Sequence, residues 1–544
     1  MKPYHILILD LVFSGEPKCN WREVLSTSTT IPIIRIGVLQ SADRVAFRCN
    51  EAFSLQNIHG EKFFAGQANH DYVVTIHSSQ PATIRYQVRA GIEKDLDRAE
   101  AQANGWRHQG VPAAVRTVGI DFEINGRRIN NQEHWIVLGD FASHEEALAF
   151  RNQQEHPGEF VVVEQIFSPA KGSIQLDEQV FEAPIRVIPD RQNMDTHITV
   201  RDIIIGIEFH WQRFEDLDYR GIIEVGLNNQ GKLVVINELD IENYLVSVNS
   251  SEMTADCPLD LLKAQTVVAR NTVLATMGKH HYNTNFHLCS DDHCQCYQGK
   301  KREQQVSRQA VEQTWGQVIM YQDEICDARY SKICGGIMEA YHHVWENRLI
   351  PYMVMGVDSD QPIDHPANTE EKARQLIDTE VPAYCNTHLH PLPPKLANLY
   401  STQNLFRWEV AYSREELEQL INQKTGEDIG ELQDIIPLER GDSGRLIYIE
   451  LVGSKKRLKI GKELQIRRVL SKSHLYSSCF YVKKQLGRDG RVKQFILKGA
   501  GWGHGVGLCQ VGATVMAMKK IPYQKILQHY YKGTRLVELY SPAK

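Results

Sequence analysis

Across 544 residues, 42% are apolar and 24% charged, and the formal net charge is −6. That length exceeds one ordinary domain, and the composition is that of a soluble globular chain. The mild acidity excludes the basic footprint of a nucleic-acid binder, and no apolar run reaches the roughly 18 residues of a membrane-spanning helix.

The opening MKPYHILILDLVFSG has the wrong shape for a signal peptide. Lys2 precedes the apolar run, Asp10 interrupts it and no clear small-residue cleavage site follows. Either the chain is cytoplasmic, or its leader was removed or is unusual. The eleven cysteines are scattered, Cys19 and Cys49 among them, except for Cys289, Cys294 and Cys296. This reads as isolated thiols plus one metal-like cluster, not as a disulfide framework.

Residues 1–80 form a β-rich region, with short strands from Ile33–Leu39 onward. Residues 81–160 change pattern: an aromatic-x-Val strand, a glycine and an acidic-started helix occur twice, as IRYQVRAG–DLDRAEAQANGW and HWIVLGDF–SHEEALAFRNQQ. Ser143 with Glu146 makes a capping box for the second helix. Residues 161–215 are a β-rich connector, and 216–544 form the remaining large domain. NNQG at 228–231 is a hairpin turn, and the Pro- and His-rich stretch 359–400 reads as a long surface insert.

Within the large domain, Asn243–Thr276 is the organising stretch. An apolar, β-rich run ends in a polar turn bearing Glu252, and a helix starts at Pro258. At about 100° per residue, Leu259, Leu262, Thr266, Val267, Val273, Leu274 and Met277 share an arc that also holds Lys263 and Arg270. Two cations on a buried face need partners or a cleft. Either their stems pack and their heads snorkel to water, or the helix floors a site and Lys263 faces Glu252 across it.

Two further clusters carry chemistry. Cys289, His293 and Cys294 lie within six residues, with Cys296 and His287 beside them and His280 and His281 upstream. Thiolates and imidazoles at that spacing suit tetrahedral zinc held by a loop, and reduced surface thiols are the alternative. GAGWGHGVGLCQVGA at 499–513 surrounds His504 with glycines. It lacks the Lys-Ser/Thr of a Walker loop and the βαβ setting of a dinucleotide loop. Glycine permits unusual backbone angles and close ligand approach there. Tyr297, Trp345, Tyr352, Trp502, Tyr530 and Tyr531 add aromatic faces nearby, which suit sugar rings but usually serve cores.

These motifs together resemble the SpoIID/LytB domain, which includes a sporulation lytic transglycosylase and an amidase enhancer. EMTADCPLDLLKAQTVVARN, CSDDHCQCYQG, the CGG and SGR motifs and the glycine segment occur in the family's order over residues 200–540. The resemblance implies an α+β fold, with a β-rich mixed core and helices lining a cleft. It implies Glu252, Lys263 and His504 as catalytic residues. Arg270, Gln265, Trp502, Gln510 and Tyr530 become substrate-binding candidates. Zinc would be structural, held by Cys289, His293, Cys294 and an upstream histidine, His281 before His287. The 81–160 repeats are similar to a SPOR domain, which binds glycan strands lacking stem peptides; a plain αβ insert is the competing reading.

By that resemblance the partner is peptidoglycan glycan in the cell envelope, and the reaction a lytic transglycosylation. Ordinary glycosidases need two carboxylates. One suffices when the sugar's own 6-hydroxyl closes a 1,6-anhydro ring, the acid turning base. A LytB-type role, binding glycan and activating a cell-wall amidase without breaking bonds, is the second reading. A Cys–His hydrolase built from Cys509 or Cys334 with His504 has no oriented third member.

Overall fold

Strand Ile33–Ala42 pairs antiparallel with Leu233–Asp240, from Ile33 opposite Asp240 to Ala42 opposite Leu233. The N-terminal strands and the large domain are therefore one sheet, and residue 80 is not a packing boundary. The computed structural model describes residues 31–154, 157–206, 212–253, 256–291, 293–396, 399 and 403–542. The reading of the opening segment, Cys19 included, lies outside them.

Among the described residues, one sheet runs Leu288–Cys289, Ile33–Ala42, Leu233–Asp240, Ile222–Leu227, Ile185–Pro189, Phe53–Gln56, Lys62–Gly66. A second runs Gln179–Glu182, Lys171–Leu176, Asp71–Gln80, Arg44–Cys49, Ile198–Ile205, Arg213–Tyr219. Both bury apolar residues in one core: Ile34, Ile36 and Val235 from the first, Phe47, Val74 and Ile198 from the second. Tyr244, Leu245 and Val273 join them from two helices.

Between strands Asp71–Gln80 and Lys171–Leu176 the chain inserts a βαββαβ unit. Its sheet runs Val161–Ser168, Thr83–Glu93, Glu133–Phe141, Ala113–Val118, all antiparallel. This is the split-βαβ arrangement. Helices Leu96–His108 and His144–Asn152 cover one face through Ala99, Ala103 and Ala147. Ser143 caps the second by accepting from the Glu146 N–H, while Glu146 accepts from the Ala142 N–H. The opposite face, with Trp135, Val137 and Val163, packs on Tyr282 of the large domain. A glycan bound on that face would meet Tyr282.

The run expected as β-rich before Glu252 is instead a helix, Ile241–Glu252. Asp240 caps it, accepting from the Asn243 N–H at 2.9 Å, and it is buried along nearly its whole length. A helix buried on all sides shows no 3.6-residue polarity, so its apolar run reads like a strand. The next helix, Leu259–Thr276, is buried from Leu261 almost throughout. Asn249 ties the two, donating to the Leu262 carbonyl and to Thr266 Oγ1.

The stretch 359–400 is not a surface loop. It contains helix Glu370–Asp378 and buries Ile363, Ala383, Tyr384, Cys385, Leu392 and Leu396 in a second core. Beyond it, strands Arg407–Ser413, Val492–Ala500 and Phe480–Leu486 form one small sheet, and Leu432–Arg440, Leu446–Gly453 and Arg457–Gly461 another. They share a core with helices Arg414–Thr425 and Glu463–Val469. Strand Val492–Ala500 delivers the glycine segment.

Candidate functional site

Glu252 is the last residue of its helix, because Met253 turns to extended backbone. Its half-buried carboxylate meets two donors. The Tyr330 hydroxyl gives Oε1 a hydrogen bond at 3.0 Å, and the backbone N–H of Cys296 donates to the same oxygen at 3.3 Å. Tyr330 is partly buried, and desolvation followed by the nearby Glu252 charge pushes its phenol well above the ordinary value. The phenol therefore stays protonated and remains a donor at any physiological pH.

Strand Tyr330–Ser331 lies parallel to Leu508–Cys509, at the end of the glycine segment. The Tyr330 carbonyl faces the His504 imidazole as an acceptor. Thus Tyr330 meets Glu252 through its side chain and His504 through its backbone. His504 also lies 4.8 Å, ring to ring, from Trp345 and accepts the Val506 N–H at Nδ1. Burial, then Arg329, Arg445 and Arg467, push its pKa down to about 3, so it is a neutral imidazole. Gly505 has φ +75°, and a Cβ there would stand 2.3 Å from Cζ of Arg445. That buried arginine donates to Ser443 Oγ and to the carbonyls of Cys334 and Gly503. The SGR motif therefore buttresses the glycine loop from beneath.

The other expected site residues fall in different places. Lys263 forms no ion pair with Glu252: its Nζ lies over the Tyr523 ring, 5.6 Å from the centroid, and no cation pairs with Glu252 among the described residues. Arg270 neither snorkels nor lines a cleft. It has no exposed surface, and its guanidinium is held by Glu242 at 2.5 and 2.8 Å and by the Gln317 carbonyl. It is a core ion pair and offers a substrate nothing. Gln265 is also fully buried, with neither amide atom hydrogen-bonded among the described residues, and Gln510 is 2% exposed. Tyr530 is buried with its hydroxyl on Asp358. Of the five substrate-binding candidates, only Trp502 is not buried; from the glycine loop, its backbone bridges Ile333.

The structure brings His281, Cys289, His293 and Cys294 together, with one donor atom from each lying within 4.8 Å of the others. His281 Nε2 is 3.3 Å from Cys294 Sγ, and His293 Nδ1 is 3.6 Å from Cys294 Sγ and 3.9 Å from Cys289 Sγ. The hydrogen bond from Cys294, with His281 and His293, draws the Cys289 thiol down against its burial. Two sulfurs and two nitrogens at this spacing fit the donor set of a closed tetrahedral zinc site. His287 stands elsewhere, accepting the Arg35 N–H at Nδ1. The loop is anchored on the sheet: Arg35 also donates to the Asn285 carbonyl, and a Cβ at Gly37 would stand 2.9 Å from the Phe286 ring. Residues 289–296 thus carry the metal-type cluster at one end and the amide that meets Glu252 at the other.

Sequence reasoning missed Tyr330 and the Cys296 amide. A tyrosine inside ARYSKICGG carries no spacing signal, and a backbone N–H carries none at all. Cys509 and Cys334 are buried in a thiol cluster with Asp358 and Cys385, so neither forms a dyad with His504.

The family described as Stage II sporulation protein matches residues 229–321, and a domain of unknown function matches 339–507. An uncharacterized protein of Brachyspira hyodysenteriae is 27% identical over 306 residues, covering 56% of this chain and 69% of its own length. The amidase enhancer of Bacillus subtilis is 26% identical over 315 residues, covering 54% of this chain and 40% of its own length. Stage II sporulation protein D of Bacillus amyloliquefaciens is 23% identical over 317 residues, covering 56% of this chain and 76% of its own. No helix among the described residues is long and apolar enough to cross a membrane.

Proposed function

The chain is a SpoIID/LytB-like protein, and from that premise we propose that it is a peptidoglycan lytic transglycosylase of the cell envelope, acting on peptide-stripped glycan strands. The observation that carries the reading is the carboxylate of Glu252, held by Tyr330 and the Cys296 amide beside the His504 loop. Glu252 gives its proton to the glycosidic oxygen as the bond to C1 breaks. The 6-hydroxyl of the same sugar then bonds to C1, and its proton returns to Glu252. No water is consumed, so a second carboxylate to activate one is unnecessary. Tyr330 orients the acid and keeps its hydrogen bond in both charge states. His504, neutral, and Trp502 offer a polar and an aromatic contact to the sugars.

In this reading His281, Cys289, His293 and Cys294 hold a structural zinc. Four protein ligands leave no open position for substrate. The chemistry the metal supplies is a cross-link of the loop that carries the Cys296 amide.

The likeness to the amidase enhancer favours a second reading, glycan binding that activates a cell-wall amidase. Mass spectrometry of products from denuded glycan strands separates the two. Anhydro-ended fragments from the wild type and none from Glu252→Gln support the transglycosylase. Reducing-end fragments mean hydrolysis, and glycan retained without products favours the activator.

A further inference from the structure

A second convergence of ligand-type side chains lies outside the Glu252 site. Cys334 follows strand Tyr330–Ser331, Asp358 follows strand Gly356–Val357, Cys385 comes from the 359–400 stretch, and Cys509 caps helix Gln510–Met518. All four are buried, at 0 to 2% exposure, and their donor atoms lie within 4.8 Å of one another. Cys334 Sγ is 3.6 Å from Cys385 Sγ and 3.4 Å from Asp358 Oδ2.

Those two spacings match edges of a tetrahedron around one metal. Bonds of about 2.3 Å to sulfur and about 2.0 Å to oxygen give edges of about 3.8 Å between thiolates and about 3.5 Å from thiolate to oxygen. Ligands of an iron–sulfur cluster bind different irons and stand farther apart. A carboxylate as fully buried as that of Asp358 needs hydrogen-bond donors or a cation to offset its lost hydration. Among the described residues no lysine or arginine pairs with Asp358; its nearest basic group is His529 Nε2, at 3.8 Å.

The surroundings have the form of a ligand-orienting shell. The Tyr530 hydroxyl donates to Asp358 Oδ1 at 2.7 Å, and the Cys385 N–H to Oδ2 at 3.1 Å. The Cys334 and Gly512 N–H groups donate to Cys509 Sγ at 3.3 and 3.4 Å, an arrangement suited to a thiolate. A Cβ at Gly512 would stand 2.5 Å from Asp358 Oδ2.

We propose that Cys334, Cys385, Cys509 and Asp358 bind one zinc ion in a closed structural site, separate from the His281 loop. It would tie the 359–400 stretch to both ends of the His504 machinery, since Cys509 follows the glycine loop and the Cys334 carbonyl accepts from Arg445.

The test uses the full chain, purified without oxygen, with zinc counted by mass spectrometry. A Cys289→Ser/Cys294→Ser variant removes the loop cluster and is expected to retain one zinc. That result is independent of glycan cleavage and of whether the loop binds metal. In the same background, Asp358→Cys is expected to keep the metal, and Asp358→Ala to weaken it at least tenfold. Cobalt supplied to this background should give thiolate charge-transfer and tetrahedral ligand-field bands, which report on the site rather than on the fold. A folded Cys289→Ser/Cys294→Ser chain with no zinc and no cobalt bands overturns the proposal. So does an intact mass showing a Cys334–Cys385 disulfide.

Discussion

The Tyr330 hydroxyl reaches Oε1 of Glu252 across 3.0 Å, while the carbonyl of the same tyrosine faces His504. One residue thus fixes the acid's orientation relative to the glycine loop. A hydrogen bond to a charged group contributes about 1.5–3 kcal/mol, which is about 10- to 100-fold in rate if it serves the transition state. Tyr330→Phe is therefore expected to lower kcat on denuded glycan by that factor, with anhydro products unchanged and a melting curve close to wild type. Full activity in Tyr330→Phe would remove the tyrosine from the mechanism.

The Cys296 amide couples the same carboxylate to the metal-type loop. Cys289→Ser, or chelation of the wild type, is expected to lower both the melting temperature and turnover, with zinc restoring the chelated wild type but not the variant. The loss should appear mainly in kcat, since the loop's link to the reaction is its contact with Glu252 and not a ligand position open to substrate. A chelated protein that melts and turns over like the untreated one would leave the four side chains as reduced thiols and neutral imidazoles.

Arg270 and Glu242 form an ion pair with 0% and 1% side-chain exposure, and Tyr540 donates to Glu242 as well. Removing one partner leaves a buried charge and costs about 3–5 kcal/mol. Glu242→Gln is therefore expected to shift the urea midpoint strongly, and Arg270→Met with Glu242→Leu together to recover much of that loss. Measuring the double variant distinguishes a core pair from a substrate contact, because only the latter would leave stability intact and KM raised.

What the sequence made legible follows from residue type. Cys289, His293 and Cys294 announce themselves by spacing, and the structure holds them with His281. Glu252 and His504 stand out as polar residues inside distinctive motifs. The helical wheel put Lys263 and Arg270 on one face, but it could not say that Glu242, one helix away, awaits Arg270, or that Tyr523 lies under Lys263. Ile241–Glu252 reads as a strand because both a buried helix and a buried strand are continuous apolar runs. The 359–400 stretch reads as surface because proline and histidine usually mark loops, yet Cys385 and Leu396 are core residues. Contacts between distant segments, such as Tyr330 with Glu252, leave no local pattern.

Glu133 supplies a test of how the βαββαβ unit is held. It is 6% exposed and pairs with Lys279 at 3.2 Å and Arg348 at 2.9 Å, both in the large domain. Burial alone would raise its pKa, but Lys279 and Arg348 outweigh it and bring the group from 4.5 down to about 2. A depressed carboxylate contributes stability that is fully present above about pH 4.5 and is lost as the pH falls towards 2. The span corresponds to a contribution on the order of 3 kcal/mol at neutral pH. Glu133→Gln is expected to lose most of this at pH 7 and to show a flatter decline of urea stability between pH 4.5 and pH 3 than the wild type. Because Glu133 bridges two units, hydrogen exchange in Thr83–Ser168 should rise in Glu133→Gln before exchange in the Ile33–Asp240 sheet does. Equal pH slopes in variant and wild type would mean that the pair forms without stabilising the docked unit.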